Sequence, residues 1–187
     1  MSVGRLAARA VIGGLFIGHG TQKLFGWFGG PGRSGTEGMM ESLQMRPAKL
    51  HATLAGVTET AGGAMLVAGL GTPLAAAGLT GVMTTAISKV HLPNGPWAAN
   101  GGWEYNAVII TALTALVETG PGALSLDHYL GRERKGTLWA LTALAVGVGT
   151  AFATMAAGQR GPADPVLAVA APVAAEDTAG DPSTVGA

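Results

Sequence analysis

The chain of 187 residues contains no cysteine, so it can form no disulfide, ligate no iron–sulfur cluster and present no thiol nucleophile. Any redox chemistry must come from a cofactor, a substrate or another subunit. Charge is the second scarcity, since only 12% of residues are Asp, Glu, Lys or Arg against about 25% in soluble domains. The formal net charge is zero and there is no basic block, which excludes a nucleic-acid partner held through its phosphates. What fills the chain instead is apolar. Hydrophobic residues make up 48%, and the charged ones fall mostly between apolar runs that approach the ~20 residues a membrane-spanning helix needs. The expected class is all-α, an integral membrane helical bundle with lipid around it.

Five runs carry that expectation. The first, residues 6–28, follows Arg5 and Arg9; it reads as a retained helix because no small-residue cleavage site follows it. Its Gly14 and Gly18 form a G-x-x-x-G pair suited to close helix packing. A glycine-rich polar connection follows, in which a short interfacial helix is expected over residues 37–44. The second run, 48–70, and the third, 74–90, are joined by Gly71-Thr72-Pro73, a turn tight enough to make them antiparallel neighbours. The fourth is short, with an apolar centre at 107–117 and polar rims at Glu104, Tyr105, Asn106 and Glu118. The fifth, 138–157, has no charge, and the Ala/Pro/Gly-rich remainder, 158–187, reads as disordered.

Inside the apolar runs the ionisable residues are the anomalies, because a Lys at the centre of a membrane helix costs about 2.5–3.5 kcal/mol on insertion scales. His19 and Lys23 lie near the far end of the first run, and Glu59 lies in the middle of the second. Counting 1.5 Å per residue from the run ends puts His19 about 9 Å, Lys23 about 3 Å and Glu59 about 16 Å deep. Lys89 and His91 close the third run on the same side, where Glu104 and Tyr105 open the fourth. These groups gather in one half of the bundle, with Glu59 partnered by His19 or Lys23. A plain helix-pinning pair would satisfy that pattern. So would a ligand site: a His or Lys to hydrogen-bond a quinone carbonyl, and a carboxylate to exchange its proton. A haem between His19 and His51 or His91 is the lesser alternative, and a metal on His19, Glu59 and Glu104 lacks a compact spacing motif.

Three segments resemble one family. His19-Gly20-Thr21-Gln22-Lys23-Leu24-Phe25-Gly26, Glu59-Thr60-Ala61-Gly62-Gly63-Ala64-Met65-Leu66 and Gly120-Pro121-Gly122-Ala123-Leu124-Ser125-Leu126-Asp127, in that order, are similar to the DoxX family of bacterial membrane proteins. The resemblance implies a DoxX-like four-helix membrane domain over 1–130, extended here by a basic connection with a fifth transmembrane helix over 131–157. It further implies a redox-associated, quinone-linked subunit of a larger oxidoreductase complex. On it, Lys23 and Glu59 are the positions carried over as functional; joined by His19 from the depth count, they are the candidate catalytic residues, and the gathered groups His19, Glu59, Glu104, Tyr105 and His91 would hold the cofactor. Asp127 reads as a structural cap. The contrasting reading is a non-catalytic scaffold whose fifth helix grips a partner subunit. The expected location is the bacterial inner membrane, multi-pass, with the N-terminus in the cytoplasm, since Arg5 and Arg9 flank the first run and Arg132, Arg134 and Lys135 fall on the same side.

Overall fold

A computed structural model describes residues 3–162, and the predicted tail lies outside the described residues from position 163 on. Those residues fold into helices without a strand. The order is α1 (Val3–Phe25), α2 (Gly32–Ser42), α3 (Ala48–Ala68), α4 (Thr72–Ala86), α5 (Glu104–Thr119), the single turn α6 (Leu126–Tyr129) and α7 (Thr137–Arg160). The expected interfacial helix begins earlier than residue 37, as α2. The fifth helix also runs on to Arg160, past the expected end of the ordered chain.

The core is drawn from five helices: Phe16 of α1, Leu66 of α3, Leu79 of α4, Leu113 and Val117 of α5, and Ala140 and Ala143 of α7. α1 packs on α3, while α4 packs on α3, α5 and α7. The α1–α3 contact is set by glycine, though by different glycines from the G-x-x-x-G pair. A Cβ on Gly13 would stand 2.6 Å from the Gly63 carbonyl oxygen, whereas one on Gly14 or Gly18 would meet nothing within 4 Å. Gly20 meets α3 at Gly56 and Thr60 in the same way. The backbones therefore touch along one stripe of α1, running Arg9, Gly13, Phe16 and Gly20 at helical period.

Arg9, at the start of that stripe, is 1% exposed. Its guanidinium donates to four carbonyls: Leu66 (2.9 Å) and Val67 (2.7 Å) at the end of α3, and Pro121 (2.6 Å) and Leu124 (2.9 Å) in the connection after α5. The last carbonyls of a helix have no intrahelical donor, and Arg9 supplies one. At the facing helix start, Asp127 accepts from the backbone N–H of Gly71 (2.8 Å) and Thr72 (3.0 Å) and from Thr72 Oγ1 (2.9 Å), capping α4 from outside. Together these residues close the end of the bundle opposite the ionisable cluster.

Among the described residues one helix, α7, is long and apolar enough by itself to cross a membrane. α5, at 16 residues, is shorter than the ~20 that a span requires, and α1 carries Arg5, Arg9 and Lys23. α7 is no appendage: it buries Ala140, Ala143, Gly147 and Ala151 against its neighbours.

Candidate functional site

The sequence places a cation near the end of α1 and a carboxylate in the middle of α3, and the glycine contact draws these two helices together. Lys23 Nζ donates to both oxygens of Glu59, at 3.0 Å and 2.7 Å. The Glu59 side chain is 4% exposed and that of Lys23 19%, so the ammonium turns inward rather than reaching for the rim. Of the two partners expected for Glu59, the fold uses Lys23. The lysine stem reaches from its shallower position down to the carboxylate, which the shorter imidazole of His19 does not do.

The pair lies between two cavities and lines both. The first, about 420 Å³, is bounded by α1, α4, α5 and the α4–α5 connection, and its polar lining is His19, His91, Tyr105 and Asn106 beside Lys23 and Glu59. Ile12, Leu15, Phe16 and Ile109 form its apolar walls. The second, about 320 Å³, lies among α2, α3, α4 and α7 and is lined by Met39, Met40, Met45, Leu54 and Val82, with Lys89 and His51.

Local structure explains several of these positions. The last turn of α4 widens at residues Ile87–His91 into a π turn, a form often found at functional sites, which carries both Lys89 and His91. His91 Nδ1 donates to Gly101 O at 2.7 Å, fixing the ring against the connection and leaving its other nitrogen uncommitted. Asn106, 5% exposed, turns its amide to Met83 Sδ at 3.4 Å. Tyr105 is half exposed at the rim. Four of the five expected cofactor residues, His19, Glu59, Tyr105 and His91, thus line one cavity. Glu104 does not: it opens α5 outside the lining. His51 faces the other cavity and spends Nε2 on Arg46 O at 3.1 Å, so it does not oppose His19 across a common space. Among the described residues no three His, Asp or Glu side chains cluster closely enough to hold a metal. Far from both cavities His128 Nδ1 meets Glu133 at 3.0 Å, and there the Lys135 hydrogen bond, helped by His128, holds the Glu133 carboxyl below its usual range.

Arg9 is the residue that sequence reasoning misplaced, as a cytoplasmic flank. The signal that finds it is the helical stripe it shares with Gly13, Phe16 and Gly20.

A helical bundle with a charged pair sealed between two cavities defines the class. The DoxX family model matches residues 4–92, which take in α1 to the end of the π turn, and over that stretch the chain is similar to DoxX proteins. The match contains Lys23, Glu59, His19 and His91 but stops short of α5 and of the third segment at 120–127. Neither the curated proteins nor the solved structures contain a match to the chain.

Proposed function

We propose that this protein is a multi-span subunit of the bacterial inner membrane that binds a quinone head group in the cavity lined by His19, His91 and Tyr105, as part of a redox complex. The observation that carries the reading is the Lys23–Glu59 pair, buried in a helical core yet bordering open space. A pair that only pinned helices would be packed on every side.

The outer surface supports the membrane part. Val11 of α1, Leu54 of α3, Leu74 of α4, Val108 of α5 and Leu138 and Phe152 of α7 are all exposed, so apolar surface runs round the bundle. The family contributes the rest, being one of membrane proteins often linked to redox or quinone chemistry.

The donor set fits a quinone. When bound, a quinone accepts and releases electrons and protons; the chain supplies the polar partners for its carbonyls. His19 and Tyr105 would offer hydrogen-bond donors to a carbonyl oxygen, and Lys23, bonded to Glu59, a further N–H. Glu59 is the group able to take up or give a proton beside them. The apolar walls at Ile12, Leu15 and Ile109 would pack against the ring.

The test is binding of a short-chain benzoquinone to the purified protein in nonionic micelles. His19→Ala and Glu59→Gln should each weaken binding about tenfold, the scale of one charge-assisted hydrogen bond, while the protein still melts cooperatively. Unaltered affinity in both variants would sink the reading.

A further inference from the structure

A third cavity, of about 460 Å³, lies at the opposite end of the bundle in the cleft between α4 and α7. Its walls are apolar: Leu70, Pro73, Leu74 and Ala77 on one side and Ala143 and Val146 on the other. Its head is basic. Arg132 and Arg134 line it, and Arg134 is held 5.1 Å above the ring of Trp139. Among the described residues neither guanidinium is in an ion pair. Asp127, the carboxylate in the lining, is 4% exposed and spends its oxygens on the start of α4. The nearby Glu133 is bonded to His128 and Lys135. The cavity therefore presents positive charge with no free carboxylate to balance it.

We propose that this cleft binds one anionic phospholipid, with the phosphodiester on Arg132 and Arg134 and an acyl chain along Leu74 and Val146. The geometry matches both halves of such a molecule. Guanidinium groups recognise phosphate through paired N–H donors, and the apolar trough continues directly from them toward the middle of the bundle. Leu74 is 70% exposed and Val146 49%, so an acyl chain would cover surface that the fold leaves bare. Trp139, 38% exposed at the head of the cleft, is a residue type favoured at the headgroup layer. Basic pockets between helices on the cytoplasmic side are recognised headgroup sites, and this end carries the N-terminus and the Arg132–Lys135 cluster. The inference rests on the membrane part of the proposed function and is independent of quinone binding.

Native mass spectrometry of the full chain, from micelles doped with equal phosphatidylglycerol and phosphatidylcholine, reads the retained lipid. One phosphatidylglycerol should be retained about tenfold over phosphatidylcholine. Arg132→Gln/Arg134→Gln should abolish that preference with an unchanged melting curve, and Val146→Trp, which fills the trough without altering charge, should lower retention of both lipids. Equal retention of the two lipids by the unaltered protein overturns the proposal, as does a preference that survives the double substitution or full retention in Val146→Trp. Displacement of phosphatidylglycerol by millimolar inorganic phosphate would assign the site to a free anion and overturn it too. If the membrane reading is itself wrong, neither lipid is retained, an outcome separate from equal retention.

Discussion

Lys23 and Glu59 pose the question of whether a buried ion pair serves the fold or a ligand, and a double-substitution cycle separates the two. Removing one partner leaves the other charge buried alone, which costs about 3–5 kcal/mol, whereas replacing both by apolar residues of similar volume is often neutral. We therefore expect Lys23→Met and Glu59→Leu each to lower the melting temperature sharply, and the double variant to recover most of the loss. The double variant should nonetheless fail to bind quinone. Recovered stability with recovered binding would show that the pair only joins α1 to α3. That these two residues would meet was half legible in the sequence. Counting depth along the helices brought His19, Lys23 and Glu59 to one region but treated each side chain as a point, and the reach of the lysine stem decided the partner. Arg9 was illegible for a related reason. Read as a flank of an apolar run it belongs in solvent, yet the four carbonyls that bury it come from the end of α3 and the connection after α5, 57 to 115 residues away.

At the scale of elements, hydropathy marked each long helix to within a few residues, because run length and polar interruption are local properties. Which face of a helix meets which neighbour is not local. Gly14 and Gly18 satisfy the small-residue spacing, but the stripe that packs is the one through Gly13 and Gly20, where the α3 backbone leaves no room for a methyl group. The two stripes predict opposite responses. Gly13→Ala must push α1 from α3 and should cost about 1–3 kcal/mol, the scale of overpacking. Gly14→Ala and Gly18→Ala add a methyl group in open space and should leave stability unchanged or raise it by about 0.5–1 kcal/mol, since glycine weakens a helix interior. Thermal melts of the three single variants check this. Gly13→Ala matching Gly14→Ala would mean that the α1–α3 contact is looser than described. The same reasoning alters the reading of α7, whose charge-free run 138–157 suits a helix that faces lipid or another subunit. Its small-residue stripe instead packs on α4, and Thr150, Ala151 and Thr154 complete the methionine-lined cavity, so a helix outside the DoxX match helps to build the site.

For the whole molecule, the helix directions divide the connections into two sets. The start of α1, the α3–α4 turn and the α5–α7 connection lie at one end, with the cap made by Arg9 and Asp127; the α1–α3 and α4–α5 connections lie at the other, beside the cavities that share Lys23 and Glu59. The burial of Arg9 removes one charge from the basic side, leaving Arg5, Arg132, Arg134 and Lys135 there against Arg33, Arg46, Lys49 and Arg160 opposite. The count is then even, and orientation turns on the density of the Arg132–Lys135 cluster and on the commitment of Arg46 to Glu41 at 2.6 Å. The absence of cysteine makes this directly measurable, since a single introduced thiol reports without background. In whole cells, Ser42→Cys and Ala98→Cys should react with a membrane-impermeant maleimide, and Arg132→Cys only after the inner membrane is opened. The reverse pattern would invert the orientation and place the arginine-headed cleft in the outer leaflet. Labelling of all three in intact cells would show that α5, the long helix between Ala98 and Arg132, does not cross the bilayer, and would remove it from the set of spans.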